Sequence, residues 1–312
     1  MKTAIVLVHL GKKAFPTYGY DCIEQIRLFN EGEPIYLVLD VDCEVGDPLR
    51  LSKSDCTIVR RNELKRTFKH SFYLATNLLR FKGMGGFWLY ATERFFIIEE
   101  VMKRFRLGDV VHLENDVLLY LDLGKSGDSF RSKYPELGIV RDSDTRCMAS
   151  FMYIRNTNAI SRLNRYIACN FFLRRKNDMQ ALSAYCRHKK WMQLPLVPSS
   201  YAVQFGLKNL GGEQADDGDA YSNTYPELNH AFDAASFGQY VGGIDKILSK
   251  EDTRGFINET SYVNPSKGVV HWTKDEQHRL CPHFSYGGEN VALANLHIHS
   301  KELYKYRSDR TD

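Results

Sequence analysis

Two short segments of the chain are apolar almost without interruption: Thr3–His9 reads T-A-I-V-L-V-H and Ile35–Asp40 reads I-Y-L-V-L-D. A strand with one wet face alternates apolar and polar residues. A strand this uniformly apolar is covered on both faces, which places it inside a sheet packed between two layers. The segment between them holds a loop, Leu10–Tyr20, with Gly11, Lys12 and Pro16, and then a helix for which Asp21 reads as N-cap and Glu24 as its capping-box partner. Ile23, Ile26 and Phe29 give that helix one apolar face. Thr57–Val59 predicts a short third strand. After Gly85-Gly86, the residues Ala91, Phe95, Ile98, Met102 and Phe105 recur at spacings of four and three and predict a helix with one inward stripe. Glu99, Glu100, Lys103 and Arg104 fall off that stripe. Gly108 ends the helix and Val110–Leu113 is the next strand. Strands separated by helices give an α/β fold, with a central, mostly parallel sheet flanked by helices and a Rossmann-like first half. Ligands of such sheets bind beyond the carboxyl ends of the strands.

The second half is less regular. Ser150–Ile154 reads as a strand, helices are expected near 158–174 and 178–188, residues 206–230 read as a long loop rich in Gly, Asp and Asn, and Val291–His299 reads as a late strand. No internal repeat and no linker divides the 312 residues, so one domain is expected, with 1–122 binding the ligand and 123–312 more variable. Lys plus Arg is 42 against 38 Asp plus Glu, a net charge of +4, which is too balanced for a nucleic-acid clamp and suits a small anionic ligand. The longest apolar runs, such as Val117–Leu121, are far shorter than the roughly 20 residues of a membrane span. Residues 1–30 lack the pattern of an export leader, so a cytoplasmic protein is expected. The 7 cysteines are scattered and never spaced C-x-x-C, against both a disulfide framework and a cysteine zinc site.

The segment that carries most chemistry is Val110–Tyr120, V-V-H-L-E-N-D-V-L-L-Y. A hydrophobic strand delivers Glu114-Asn115-Asp116 to its carboxyl end, and a second apolar strand leaves at once. Two carboxylates one residue apart can share a divalent cation, and hard oxygen ligands suit Mg²⁺ or Mn²⁺, which keep positions open for phosphate oxygens. The other reading is turn chemistry between two strands. Further along, Asn295-Leu296-His297-Ile298-His299-Ser300-Lys301 puts two imidazoles on one face of a strand, with a lysine close behind for phosphate. A zinc enzyme built on His271, His278 and His283 lacks a compact ligand spacing.

The run E-R-F-F-I-I-E-E-V-M-K-R-F followed by V-V-H-L-E-N-D-V-L-L-Y-L-D-L resembles the nucleotide-sugar-dependent glycosyltransferases of the GT-A fold, and is similar to bacterial and large-DNA-virus enzymes with an H-L-E-N-D-V motif. The resemblance implies a D-x-D-type metal motif at the end of a central strand, read here as Glu114-Asn115-Asp116 with Glu in the first position. It carries the metal-ligand role to Asp116, and gives Glu114 contact with the metal or with the donor's ribose or sugar, beside Asn115. It implies His299 as the C-terminal metal ligand, with His297 in reserve, and Lys301 as a diphosphate contact. The run Ala231–Gly243, A-F-D-A-A-S-F-G-Q-Y-V-G-G, looks like a sugar- and acceptor-facing segment. An inverting transferase needs a carboxylate to take the acceptor proton, and Asp233 is the candidate base, with a helix cap as its other reading. Asp178, in K-N-D-M-Q, is the second candidate base, with an N-cap for the next helix as its other reading, and Asp178, Gly242 and Gly243 are candidate acceptor contacts. His9, Leu10 and Gly11, after the first strand, are expected at the donor nucleotide, with Arg94 facing the same pocket from an exposed helix boundary.

Arg60, Arg61, Lys65, Arg66, Lys69 and His70 form a basic cluster that reads as a solvated helix face, or as an attractor for a diphosphate or anionic glycan. G-x-x-x-x-G-K-[ST], G-x-G-x-x-G and G-x-S-x-G are all missing from the sequence, which turns the reading away from a P-loop NTPase, a dinucleotide oxidoreductase and an α/β-hydrolase. The expected function is a Mn²⁺- or Mg²⁺-dependent hexosyl- or pentosyltransferase. It would move a sugar from a nucleoside diphosphate sugar, a UDP-sugar, to a hydroxyl of a glycan or glycoconjugate, with inversion. A sugar nucleotidyltransferase and a non-catalytic carbohydrate-binding protein are the alternatives.

Overall fold

The computed structural model describes residues 2–77, 86–171, 177–198, 200, 207–244 and 257–310. The chain begins with β1 (Ala4–His9), α1 (Thr17–Phe29), β2 (Ile35–Leu39), α2 (Pro48–Lys53) and β3 (Cys56–Arg60). Two helices follow, α3 (Phe68–Asn77) and α4 (Phe87–Phe105), then β4 (Val110–Leu113), β5 (Val117–Leu119) and α5 (Leu123–Lys133). Then come β6 (Leu137–Ser143), β7 (Arg146–Ile154), α6 (Thr157–Phe171) and α7 (Asp178–Cys186). The six-stranded sheet runs β3-β2-β1-β4-β7-β6, and β7 alone runs against the direction of the other five strands. This is the α/β class with a central, mostly parallel sheet that the apolar runs implied. The far end of the helix expected over 158–174 lies outside the described residues.

The uniform apolar runs have the expected cause. In β1, Ile5 and Leu7 pack with Ile23 and Ile26 of α1 on one face, while Ala4 and Val6 pack with Phe95 and Ile98 of α4 on the other. The chain passes from β1 outward to β3, then crosses back to lay β4 on the other side of β1. The strand order therefore reverses between β1 and β4, and the carboxyl ends of these two strands mark the place where open α/β sheets form their ligand crevice.

Two local expectations are corrected. Helix α1 starts at Thr17, behind Pro16, whose extended backbone (φ −75°, ψ 151°) sets the entry. Asp21 and Glu24 lie inside that helix instead of capping it. They hold Arg50 of α2 at 2.8 and 2.6 Å and pair with Arg307, which ties the C-terminal segment to α1. Glu99 and Glu100, off the apolar stripe, are nonetheless buried, as is Glu93, because α3 and α6 cover that side of α4. The strand expected over Val291–His299 is two strands. After a one-turn helix α8 (Tyr225–Leu228) and α9 (Ser236–Gly242), a small antiparallel sheet forms from β8 (Val269–Lys274), β9 (Leu280–Tyr286) and β10 (Glu289–Ala292). The chain then leaves that sheet, and β11 (Asn295–His297) pairs antiparallel with β5.

The basic cluster is also not a solvated face throughout. His70 is fully buried between two acids, with Nδ1 2.9 Å from Glu100 and Nε2 2.7 Å from Glu93. Two carboxylate acceptors on the two ring nitrogens call for the imidazolium, in which both nitrogens donate. Burial pushes the His70 pKa down, but the hydrogen bonds and charges of Glu100 and Glu93 outweigh it and raise it above 6.5. Arg61 also reaches Glu93 and extends the network to Asp40 at 3.3 Å. The stability contributed by His70 is therefore complete below its unfolded value and is lost as pH rises through the raised folded value. Urea unfolding of the parent and His70→Gln should show a gap of about 3 kcal/mol at low pH, set by the stranded buried acids, that narrows as pH rises. A gap of constant size across the titration refutes the assignment.

Candidate active site

Strand β4 ends at the crevice, and the turn to β5 is closed by Val117 N–H donating to the Glu114 carbonyl at 3.2 Å. Asn115 anchors this turn to β1, donating from Nδ2 to the Val8 carbonyl at 3.2 Å and lying 3.3 Å from His9 Nδ1. Glu114 and Asp116 are thereby fixed on the floor of the crevice. Antiparallel pairing of β11 on β5 sets His297 opposite Val117, and Ile298 N–H donates to the Asp116 carbonyl at 2.9 Å. His297 Nε2 then stands 3.0 Å from Asp116 Oδ2 and 3.8 Å from Glu114 Oε2.

The other members of the cluster are cations. Lys301 Nζ bonds Asp116 Oδ2, and Arg94 Nη1 bonds Glu114. Arg94 Nη2 reaches Asp178 Oδ2 at 2.6 Å. Charges thus alternate along one line: Lys301, Asp116, His297, Glu114, Arg94, Asp178. Lys301 sits at φ 67°, in the left-handed region that side chains other than glycine seldom adopt.

Burial and pairing compete at every member. Burial pushes Asp116 up, but His297 and Lys301 outweigh it and hold its carboxyl well below the usual range. Burial likewise opposes ionisation of Glu114, and the Arg94 charge, then that of His297, lowers it. His297 is raised, because Asp116 and Glu114 outweigh the burial that lowers it. At Asp178 burial wins over Arg94, and its pKa is raised.

The donor atoms of Glu114, Asp116 and His297 lie within 4.8 Å of one another, close enough to share one ion. Two carboxylate oxygens and an imidazole nitrogen fit Mn²⁺ or Mg²⁺, with the imidazole favouring Mn²⁺. His297, the reserve candidate, is the imidazole in this group. His299, expected as the ligand, lies past the end of β11, where strand alternation no longer holds, with its ring 6.3 Å from that of His297.

The loop after β1 closes the crevice on the other side. Gly11 has φ 73°, and a Cβ there would stand 2.3 Å from the Tyr90 ring, so only glycine fits. Its N–H donates to Asp40 Oδ2 at 2.6 Å. His9 is buried against Phe15 with Nε2 3.2 Å from the Ala14 carbonyl, and Leu10 is half-buried. Asp40 and Tyr90 were not legible as site residues, since neither stands in a motif.

Arg94, Asp178 and Asp233 are more deeply engaged with the protein itself than their sequence positions suggest. Arg94 is buried, not at an exposed boundary. Asp178 is buried behind it, in the first turn of α7 whose cap is Asn177, and its carboxylate pairs with Arg94. Asp233 is fully buried and its carboxylate accepts three backbone N–H groups, so its capping reading is the one realised. Gly242 faces Ile298 and Ser300, and Gly243, at φ 75°, has nothing within 4 Å of an added Cβ.

No protein-family model and no curated protein sequence matches the chain. Among solved structures it is similar to mouse xyloside xylosyltransferase 1, at 9% identity over 71% of this chain and 93% of that one, with a TM-score of 0.41. It is also similar to the PaToxG glycosyltransferase, at 12% identity over 60% and 68%, with a TM-score of 0.43. A third similar structure is a cytidylyltransferase from Leptospira borgpetersenii, at 12% identity over 62% and 74%, with a TM-score of 0.35. At these values the likeness adds nothing to the chemistry read from the residues themselves.

Arg94 pairs at once with the buried Asp178 and the half-buried Glu114, which gives a direct test of the charge line. Arg94→Gln should destabilise the protein by about 3–5 kcal/mol, because it strands Glu114 and Asp178. Adding Asp178→Asn should recover part of that loss. Urea denaturation of the double-mutant cycle measures the coupling, and strictly additive losses contradict it.

Proposed function

We propose that the chain is a metal-dependent glycosyltransferase that moves a sugar from a nucleoside diphosphate sugar, a UDP-sugar, to a hydroxyl of a glycan or glycoconjugate. The observation that carries this reading is the convergence of Glu114, Asp116 and His297 with Lys301 and Arg94, at the crevice where the strand order reverses. Glu114, Asp116 and His297 would hold Mn²⁺ or Mg²⁺, and that ion supplies positive charge to the departing diphosphate. Asp116 draws Lys301 to the same point, so the ammonium stands where it can meet a phosphate oxygen. Arg94, braced by Asp178, fixes the Glu114 carboxylate and keeps a guanidinium under the crevice. His9, Leu10, Gly11 and Asn115 shape the wall where the nucleotide would lie. The carboxylate of Asp233 is engaged by backbone N–H groups, so the role of base is not given to it.

A nucleotidyltransferase reading is less well supported, for a specific reason. Such an enzyme needs backbone N–H groups of the loop after β1 to cradle a triphosphate. Here the Gly11 N–H is taken by Asp40, whose carboxylate repels phosphate.

Thermal unfolding with nucleoside diphosphates and nucleotide sugars tests the proposal. UDP with Mn²⁺ should stabilise the protein by about 2.7 kcal/mol at a hundredfold excess over Kd. The shift should vanish with EDTA and in Asp116→Ala. If no nucleotide shifts the transition, the transferase reading falls.

A further inference from the structure

The run Ala231–Gly243 has no place in the reading so far, yet it is tightly organised. Asp233 precedes α9 and accepts from Phe237 N–H through Oδ1 and from Gly238 N–H through Oδ2, both at 2.9 Å. Asp233 Oδ2 also accepts the backbone N–H of His297 at 2.9 Å. One carboxylate therefore joins the first turn of α9 to the residue whose imidazole meets Asp116. Asn295 completes the joint, accepting from Asp233 N–H at 3.1 Å.

The glycines serve the same contact. A Cβ on Gly238 would stand 2.1 Å from the His297 carbonyl oxygen and 2.6 Å from its nitrogen, so the helix backbone lies directly on that peptide. One turn on, a Cβ on Gly242 would meet Ile298 Cγ2 at 3.1 Å and Ser300 Oγ at 3.4 Å. Tyr306 Oη donates to the Val241 carbonyl at 2.7 Å and closes the far end. Ala235 holds a left-handed backbone, φ 66°, to start the helix at this angle. The face of α9 that carries Gly238 and Gly242 is thus fitted to the segment 297–300, just before Lys301.

We infer that Asp233 and Gly238 are positioning residues, which hold the His297 backbone at the depth and register where its ring joins Glu114 and Asp116. This rests on the metal-dependent reading above. Asp233 fixes the His297 N–H by a charge-assisted bond, and Gly238 sets how closely α9 can press on the peptide. A ligand held a fraction of an ångström out of place binds its ion less well, as do ligands whose supporting hydrogen bonds are removed.

Mn²⁺ binding, followed by the electron paramagnetic resonance of the free ion, tests the inference on the whole protein. Asp233→Asn should weaken Mn²⁺ binding by about tenfold to a hundredfold. Ile160→Val, a remote core substitution in α6, should lower stability and leave Mn²⁺ affinity unchanged. Gly238→Ala should lose Mn²⁺ binding. If it or Asp233→Asn does not fold, Gly242→Ala, which meets only side-chain atoms, should still show a severalfold loss. Parent-like Mn²⁺ affinity in folded Asp233→Asn or Gly242→Ala, with affinity lost in Asp116→Ala, overturns the positioning role and leaves the metal site standing. Parent-like affinity in Asp116→Ala overturns the metal site itself, and this inference with it.

Discussion

Carboxylates at the end of a buried strand stay ionised only if cations reach them, and the region around the crevice is arranged by that requirement. Strand β4 carries Glu114 and Asp116 to a point where little water remains, and burial alone drives both toward the neutral acid. The charges that reverse this come from distant parts of the chain: Arg94 from α4, His297 from β11 and Lys301 just beyond it. Asp178 from α7 then balances Arg94. The same principle recurs behind the site, where His70 and Arg61 answer the buried Glu93 and Glu100. Two groups of alternating charge therefore lie along α4, one through Arg94 and one through Glu93 and Glu100.

The sheet was legible in the sequence because burial on both faces leaves a period-independent signature. Thr3–His9, Ile35–Asp40 and Val110–Leu113 are apolar at nearly every position, and each is a central strand. Strand β6 was not legible: L-G-I-V-R-D-S is buried throughout but carries Gly138, Arg141 and Asp142, which a local reading counts as loop. The stripe on α4 was read correctly, while its second buried side was not. Helix periodicity reports one apolar stripe, and the covering of α4 by α3 and α6 mixes apolar contacts, such as the Tyr73–Phe96 stack, with buried acids that a local reading leaves outside the core. The N-cap assigned to Asp21 failed for a related reason, because Pro16 starts α1 earlier and long-range arginines claim both acids.

At the site, the motif Glu114-Asn115-Asp116 was visible because its two acids are neighbours in sequence. Its partners were visible only as types. The choice between His297 and His299 depends on where β11 ends, which depends on pairing with β5. Arg94 was placed at a helix boundary, since nothing near it in sequence marks Asp178 as its partner. Asp233 showed the converse problem: an acid among small residues reads as reactive when its three partners are backbone groups that no sequence pattern displays.

The contact between Asp116 and His297 closes a loop of 181 residues, and its consequence is temporal. Loop-closure entropy must be met before so distant a contact returns any stability, so pairings of this kind form late. The first four strands can assemble from residues already synthesised, with their acidic floor lacking its imidazole and ammonium. On the ribosome, before β11 emerges, Glu114 already has Arg94 while Asp116 lacks both of its counter-charges, His297 and Lys301. A segment made long after the sheet is therefore the one that completes the charge balance around Asp116.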